Sequence, residues 1–276
     1  MSSWNGKDLY MVKLGGAVIT DTDKPGVAKK EDIVRLLREI KEAREKKGFD
    51  VIIGHGGGSF PHIPAKKYRV NEGIINEESR KGAALVKLSA RELNTIMVNA
   101  AIEAGFDVFP FDPSSFILSR SGKAERAEVE VIKNAFDYGL TPIIYGDVVM
   151  DLEKGVSIAS TEEIFRILSK HFPVKKVVLA TDVDGVFDKD PFKYGDAKLL
   201  PLVNESNLHE ILGAAGSAHK VDVTGGMNAK VALLSDIAKS TGSQGFILNG
   251  SKPGKLFNAL IGEVVECTKF DFGKQE

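Results

Sequence analysis

The sequence predicts an α/β fold in which an open, mainly parallel central sheet is covered by helices on both faces. Two observations lead to this class. Apolar, β-rich runs alternate along the chain with long amphipathic stretches. The runs are apolar almost throughout, which is typical of strands buried on both faces, and the interleaved helices supply the cover.

Seven runs are predicted strands and four longer stretches are predicted helices. The strands are 9–14, 49–54, 106–111, 141–146, 174–180, 244–250 and 262–267. The helices are 30–47, 78–104, 160–172 and 226–240. Ser160 followed by Glu163 is the pattern of a capping box and predicts where the third helix begins.

A soft boundary near residue 173 is predicted from HFPVKK, where proline and charge separate a helix from a strand. Because no evident linker interrupts the chain, we expect a single domain over 1–276 that this boundary divides into two lobes. Its N-terminal lobe would span roughly 1–173 and its C-terminal lobe roughly 174–276.

Composition excludes several classes of protein. The 276 residues are 43% hydrophobic, enough for a sizeable core, and Lys+Arg 37 against Asp+Glu 38 gives a net charge of −1. That balance argues against nucleic acid or an anionic membrane as a partner. The single cysteine, Cys267, rules out an internal disulfide and suits a reducing cytoplasm. The N-terminus lacks the apolar region of a signal peptide, and no apolar run is long enough to span a bilayer, so we expect a cytoplasmic protein.

The densest glycine cluster is GHGGGSFPH, residues 54–62, which directly follows a predicted strand. Ligands of such sheets gather at the carboxyl ends of the strands. Glycines let the backbone approach a ligand and present its N–H groups, which suits phosphate. The alternative is a tight turn that needs positive φ, for which one or two glycines suffice.

Two further glycine pairs lie beside lysines. Gly15 and Gly16 leave the first strand two residues after Lys13, and Gly225 and Gly226 precede Lys230 at a predicted helix start. A lysine in an apolar strand is costly unless it meets an anion. Each lysine alone also fits a solvated surface group, but together the three stretches predict a site for several phosphates. Neither GxxxxGK[ST] nor GxGxxG is present, which argues against a P-loop enzyme or a dinucleotide oxidoreductase.

Five stretches resemble the amino acid kinase superfamily, which includes acetylglutamate, aspartate and uridylate kinases. They are KLGGAVI, GHGGGSF, IIYGDVV, LATDVDGVF and VDVTGGMNAK, in order from residue 13 to residue 230. GGGSFPHIPAKKY and PSSF (113–116), taken with the last stretch, are similar to the archaeal type of isopentenyl phosphate kinase. The resemblance implies a cytoplasmic, homodimeric αβα sandwich that transfers the γ-phosphoryl group of ATP, with Mg²⁺, to isopentenyl phosphate in isoprenoid biosynthesis.

The resemblance also implies residue roles. On the acceptor side, the loop that receives the phosphate corresponds to Gly56, Gly57, Gly58 and Ser59, with His62 as its hydrogen-bond donor. Asp147 corresponds to the aspartate that organises the lysines. The transferred group and the nucleotide correspond to Lys13, Gly15, Gly16, Thr181, Asp182, Asp184, Gly225, Gly226 and Lys230. No metal-ligating side chain is implied.

The chemistry of the residues agrees with these roles. A phosphate acceptor already carries an anionic oxygen, so the protein must mainly neutralise charge and align the reactants, and no general base is needed. His62 would then donate a hydrogen bond, although a capping or packing histidine is the alternative. Asp147 beside Gly146 also fits a turn.

An apolar acceptor tail needs a dry pocket. Val86, Ile96 and Met97, with Leu93 and Ala100, recur near helical spacing on the predicted 78–104 helix and supply a candidate wall. The alternative is that they face the core.

Two departures from the family pattern concern the acceptor. Thr22 stands where a second lysine usually follows the first strand, with Lys24 two residues later, and Pro61 stands where glycine commonly precedes the histidine. Two other functions stay open at this point. One is a fosfomycin-type phosphonate kinase, and the other is a non-catalytic nucleotide sensor of the same fold.

Overall fold

An eight-stranded sheet forms the centre of the fold in the computed structural model, which describes residues 7–213 and 225–273. The strands are Leu9–Leu14 (β1), Asp50–His55 (β2), Val108–Pro110 (β3), Ile117–Arg120 (β4), Lys123–Ala127 (β5), Thr141–Tyr145 (β6), Asp147–Asp151 (β7), Gly155–Ala159 (β8), Val174–Thr181 (β9), Val186–Phe187 (β10), Leu199–Leu200 (β11), Leu202–Val203 (β12), Gln244–Asn249 (β13) and Thr268–Phe270 (β14). The helices are Gly16–Ile19 (α1), Lys30–Lys47 (α2), His62–Lys67 (α3), Glu77–Glu103 (α4), Glu130–Asp137 (α5), Thr161–Ser169 (α6), Leu208–Gly213 (α7), Gly225–Thr241 (α8) and Lys255–Ile261 (α9). Short 3₁₀ turns lie at Val70–Glu72 and Pro113–Ser115.

The central sheet has the strand order β12-β14-β13-β9-β1-β2-β6-β3. Its strands are parallel except at one step, where β14 runs antiparallel to β13. β1 lies between β9 and β2, with Lys13 in register with Leu179 on one side and Gly54 on the other. The predicted fold class is therefore confirmed.

Alternate side chains of β1 enter two separate cores, one on each face of the sheet. Val12 and Leu14 pack with α2, α4 and α9, while Leu9 and Met11 pack with α5, α6 and α8. Lys13 alternates with Val12 and Leu14, so it shares the α6 and α8 face. Among the described residues, no helix is both long enough and apolar enough to cross a membrane.

A smaller sheet of order β5-β4-β7-β8 stands beside the carboxyl ends of the central strands, and β10 and β11 form an antiparallel pair. Between β7, β8 and the helices α3 and α4 lies a third apolar group, which we call the satellite cluster. Its buried members are Ala65, Val70, Ala83, Val86, Val148 and Val156.

Most predicted elements agree with the structure to within a few residues, and β1 and α2 match end to end. The predicted strand 262–267 is wrong. Gly262 ends α9 with φ of +91°, the chain then crosses solvent with Val264 fully exposed, and the strand begins at Thr268. The sequence also did not predict α3, α5, α9 or the smaller sheet, and the lobe boundary near 173 stays a prediction.

The capping box predicted at α6 is half present. The Ser160 hydroxyl accepts a hydrogen bond from the Glu163 N–H at 3.1 Å. The Glu163 carboxylate binds Arg166 instead of turning back to the cap. A complete capping box, which the sequence analysis missed, starts α4 at Asn76 and Ser79.

Candidate active site

A cleft of about 840 Å³ lies at the carboxyl ends of the central strands. Its walls come from the loops that follow β1, β2, β6 and β9, together with the first turns of α6 and α8. This is where parallel sheets bind their ligands. Almost every residue predicted from the glycine-rich stretches lines it, namely Lys13, Gly15, Gly16, Gly56, Gly57, Gly58, Ser59, His62, Asp147, Thr181, Asp182, Gly226 and Lys230.

The glycines after β1 and β2 let two loops pack backbone against backbone. A Cβ on Gly16 would lie 2.4 Å from the Gly58 nitrogen. Gly58 has φ of +52°, and a Cβ there would lie 2.1 Å from the Thr20 hydroxyl oxygen. Glycine is therefore required both for the turn and for the contact between the loops. The glycines therefore serve a tight turn and can also serve a ligand, because the packing of the two loops places both backbones in the cleft wall.

Lys13 is 7% exposed and its ammonium binds the Glu162 carboxylate. Gly54, the neighbour of Lys13 on β2, makes this approach possible, because a Cβ on Gly54 would lie 2.7 Å from the Thr161 methyl group. The Thr161 hydroxyl donates to the His55 carbonyl at 2.6 Å. α6 therefore begins directly over the sheet, with Glu162 in its first turn against Lys13.

Lys230 lies in the same electrostatic environment. Its ammonium donates to the Gly226 carbonyl at 3.0 Å, one turn earlier in α8. Burial and the nearby Lys13 lower the pKa of Lys230, while Glu162 and Asp182 oppose that shift. Burial raises the pKa of Glu162, but the charge and hydrogen bond of Lys13 outweigh it, and the net pKa lies below the usual value. Lys13 and Lys230 thus lie close to the same ionised carboxylate, Glu162, and both ammonium groups are placed where an anion in the cleft could meet them.

His62 is the first residue of α3 and is exposed at the cleft, directly after the buried Pro61. Partial burial and the charge of Lys13 lower the pKa of His62, and Glu162 partly offsets this. His55, at the other end of the glycine loop, differs: it is 1% exposed, and its ring nitrogens lie 3.1 Å from the Gly56 carbonyl oxygen and 3.2 Å from the Asn94 side-chain oxygen. Burial lowers the pKa of His55 to about 4.

Asp147 lines the cleft but does not hold Lys13 or Lys230, which corrects the role that the resemblance implied. Its carboxylate accepts from Lys87 at 2.7 Å and from the Val148 N–H at 2.8 Å. Lys87 also donates to Ser114 at 2.5 Å. The carboxylate that contacts Lys13 is Glu162, because α6, and not the β6–β7 connection, begins over β1.

The residues at the end of β9 and directly after it face two different sides of the loop. Thr181 and Asp182 line the cleft as predicted. Asp184 is not among the lining residues, because its carboxylate binds Lys252 at 2.8 Å and Lys255 at 2.5 Å on the other side of the loop. Gly226 lines the cleft at the start of α8, Gly225 is the first residue of that helix, and residues 221–224 of the same motif lie outside the described residues.

Of the five residues predicted to form an apolar pocket, Val86 lies in the cleft wall and in the satellite cluster, while Leu93 and Ala100 are buried in the core shared with α2. Met97 is fully buried in the core beneath α2, and Ile96 packs against that core and lines a separate groove between α2 and α4. Met97 shares the helix stripe of Val86 but lies three turns further along, about 16 Å away. The prediction that Ile96 and Met97 line the acceptor pocket is therefore wrong, because the sheet covers this part of α4.

Sequence analysis missed three charged residues of this region. Glu162 and Lys189 line the cleft, the latter from the β10–β11 segment, and Lys87 binds Asp147. The sequence signal for Glu162 is a second acidic residue, beside Glu163, in the first turn after the Ser160 cap. Lys87 and Lys189 have no local signal, because only the tertiary fold brings Lys87 to Asp147 and Lys189 to the cleft.

The fold and the cleft together define a class of α/β proteins that bind phosphorylated ligands at glycine loops and lysines. The family model for the amino acid kinase family matches residues 8–249. The chain belongs to the amino acid kinase family, as its sequence motifs predicted.

Curated relatives and solved structures agree with this assignment. The chain is 33% identical over 269 residues to the isopentenyl phosphate kinase of Methanothermobacter thermautotrophicus, covering 95% of this chain and 98% of the relative. It is 32% identical over 276 residues to the isopentenyl phosphate kinase of Methanocaldococcus jannaschii, covering 96% and 100%. An X-ray structure of isopentenyl phosphate kinase superposes with a TM-score of 0.81 at 31% identity, over 95% of this chain and 99% of that one.

Proposed function

We propose that this protein is an ATP-dependent kinase that phosphorylates isopentenyl phosphate to isopentenyl diphosphate. One observation carries the proposal: Lys13, Lys230 and His62 line a single cleft that borders an apolar cluster. A phosphorylated compound with a short apolar tail suits both parts of that surface. The relatives named isopentenyl phosphate kinase, at 32–33% identity over nearly their whole length, support the same substrate.

In the proposed reaction, an oxygen of the acceptor phosphate attacks the γ-phosphorus of ATP. The new oxygen–phosphorus bond forms as the bond to the β-phosphate oxygen breaks, and ADP leaves with those electrons. Lys13 and Lys230 would stabilise the charge on the transferred group, which is greatest in the transition state. The proposed role of Glu162 is to keep Lys13 aimed into the cleft.

His62 would bind the acceptor phosphate. In the free protein its lowered pKa favours the neutral ring, which still has one N–H to donate. An incoming phosphate favours the protonated ring, because an opposite charge raises the pKa of a histidine. The backbone of Gly56, Gly57, Gly58 and Ser59 would form the rest of this subsite.

The nucleotide subsite is proposed at Gly15, Gly16, Thr181, Asp182, Gly225, Gly226 and Lys230. Mg²⁺ would arrive with ATP, since this ion usually binds through substrate phosphates and waters with only one or two protein carboxylates. Asp182, which is exposed in the cleft, fits that need. Within 7–213 and 225–273 no three His, Cys, Asp or Glu side chains are grouped to hold a metal ion by themselves. The ion would neutralise phosphate charge, and the lysines would align the phosphates.

The apolar tail of the acceptor would lie against the satellite cluster. Val86 reaches both the cleft and this cluster, and Ile158 on β8 lines the cleft while 38% exposed. The homodimer implied by the resemblance is also proposed, and light scattering of the purified protein would test it.

An assay of ATP consumption over small phosphates and phosphonates tests the function. We expect ADP release with isopentenyl phosphate, and the appearance of a diphosphate by ³¹P NMR. Turnover with fosfomycin alone would instead support a phosphonate kinase, and ATP binding without turnover would support a sensor. The sequence similarity favours the first outcome. Lys13→Ala is the control for contaminating kinases, because it should lower the signal by about 10²–10³-fold.

A further inference from the structure

Behind the cleft, three charged side chains lie next to the segment 181–185, which we call the nucleotide loop. Thr181, Asp182, Val183 and Gly185 of this loop line the cleft. The Asp184 carboxylate lies against Lys252 and Lys255 instead, at 2.8 and 2.5 Å. Both lysines also contact Glu266, at 3.2 and 3.5 Å. The loop thus has a ligand-facing side and an anchored side.

Lys255 is in an unfavourable place for a lysine unless it has a partner. Its side chain is only 8% exposed, and it is the first residue of α9, where the positive end of the helix dipole opposes a cation. Lys252, by contrast, has a side chain that is 52% exposed. The buried pair Lys255–Asp184 is therefore the stronger link between α9 and the nucleotide loop.

The anchor behind Lys255 is itself fixed. The Glu39 carboxylate of α2 accepts from the N–H groups of Gly254 and Phe257, at 3.0 and 3.1 Å, and so holds the start of α9. Arg35 donates to Glu39 at 2.8 Å. At the beginning of the loop, the Gly250 N–H donates to the Thr181 carbonyl at 2.8 Å. The Thr181 hydroxyl also bonds the Val183 backbone, and the Asn249 amide donates to the Asp182 carbonyl at 3.4 Å, so hydrogen bonds hold the first half of the loop. The ion pair of Asp184 then fixes the second half from behind the cleft.

We infer that Lys255 is a positioning residue for the nucleotide: acting through Asp184, it holds the nucleotide loop in the shape that accepts ATP. This inference rests on the proposed function, because it assigns ATP to the cleft. Lys255 itself touches no substrate. Its loss should therefore weaken nucleotide binding and leave the acceptor subsite at His62 unchanged.

The test measures the Kd for ATP by titration calorimetry without acceptor, and the KM for ATP and for isopentenyl phosphate in steady state. The variants are Lys255→Met, Lys255→Arg, Asp184→Asn and the double variant Lys255→Met with Asp184→Asn. Lys176→Met is the matched control. Lys176 is also a buried lysine, 7% exposed, but it donates to the carbonyls of Ala259 and Leu260 at the other end of α9.

We expect the Kd and KM for ATP to rise about tenfold in Lys255→Met and in Asp184→Asn, and no further in the double variant, because the two residues act as one unit. Lys255→Arg should restore part of the affinity. Lys176→Met should lower the melting temperature and leave the Kd for ATP within about twofold.

Three results would overturn the inference. They are an unchanged Kd for ATP in the folded variants, an equal rise in the KM for isopentenyl phosphate, and no ATP binding by the wild type. Asp184→Asn, at a partly exposed position, decides the matter if Lys255→Met does not fold. If the wild type binds ATP but does not phosphorylate isopentenyl phosphate, the proposed substrate is wrong. The ratio of the Kd for ATP between variant and wild type would still test the role of Lys255.

Discussion

The two ends of the cleft use pairs of lysine and carboxylate in different ways. At the end where His62 lies, the pair Lys13–Glu162 forms part of the cleft wall, and both residues can meet a ligand. At the nucleotide loop, the pair Lys255–Asp184 lies behind the wall and holds backbone in place. A charged pair in the cleft wall can therefore act on the substrate, whereas a charged pair behind the wall acts on the shape of the site.

The largest effect should come from the pair inside the wall. Lys13→Ala should lower kcat by about 10²–10³-fold, because it removes a charge aimed at the transferred phosphoryl group. Lys230→Ala should act in the same direction. Glu162→Gln keeps a hydrogen-bond acceptor beside Lys13 and should lose less activity than Lys13→Ala. Steady-state kinetics at low and high salt measure these effects.

Lys24→Ala is the matched control, since Lys24 is 73% exposed and lies 3.9 Å from Asp21. Its kcat should stay close to that of the wild type. A near-normal kcat in Lys13→Ala would contradict the mechanism. A large loss of kcat in Lys24→Ala would show that the loop lysine replaces the one missing at Thr22.

The second largest effect should come from His62 and should concern the acceptor end of the cleft alone. His62→Ala should lower kcat/KM for isopentenyl phosphate by about 10–150-fold, equivalent to one charge-assisted hydrogen bond of roughly 1.5–3 kcal/mol. The KM for ATP should stay unchanged. Because the pKa of free His62 is below its usual value, the bound phosphate must compete for a mostly neutral ring at pH 7.

Lowering the pH should therefore strengthen acceptor binding through His62. The comparison must use the ratio of acceptor KM between His62→Ala and wild type, since the phosphate of the substrate titrates in the same range. That ratio should grow as the pH falls from 8 toward 6. A ratio near one at every pH would remove His62 from the acceptor site.

How far the sequence could predict this site depended on whether the signal was local. The glycine loops and Lys13 could be predicted because strand ends and glycine spacing are visible in the local sequence. Glu162 was missed because its contact with Lys13 requires Gly54 to admit α6 over the sheet. Val86 and Met97 share one helix stripe, and only the position of the sheet puts one in the cleft and the other in the core. The strand predicted at 262–267 failed because Gly262 ends α9 and delays the strand.

The two histidines beside the glycine loop allow a test of stability. His55 is buried, with a pKa lowered to about 4, so it is neutral in the fold and binds a proton in the unfolded chain below about pH 6.5. Its contribution is complete above pH 6.5 and is lost as the pH falls toward 4. Between pH 7 and pH 5 the unfolding free energy should fall by about 2 kcal/mol from this group.

Chemical denaturation of wild type and His55→Gln over that pH range measures the effect. The variant should be less stable at pH 7 but should lose less stability on acidification. His62→Ala is the comparison: the pKa of His62 is also lowered, but its side chain is exposed, so its removal should change the pH dependence of unfolding less than removal of His55 does. Equal slopes in wild type and His55→Gln would contradict the buried neutral histidine.

The smallest effect concerns the tail of the acceptor and separates the cleft wall from the core. Val86→Ala should shift preference toward longer alkyl phosphates, by roughly threefold to fourfold per added methylene, since each buried methylene contributes about 0.8 kcal/mol. Met97→Ala should instead cost about 2–5 kcal/mol of stability, because it opens a cavity in the core, and should leave chain-length preference unchanged. Ile96→Ala, beside the groove between α2 and α4, should change neither preference nor kcat. Competition between isopentenyl phosphate and longer prenyl phosphates measures the preference directly. Suppose instead that Val86→Ala left the order of substrates unchanged while Met97→Ala altered it. The acceptor tail would then extend along α4 beyond the satellite cluster, into the region that the structure assigns to the core.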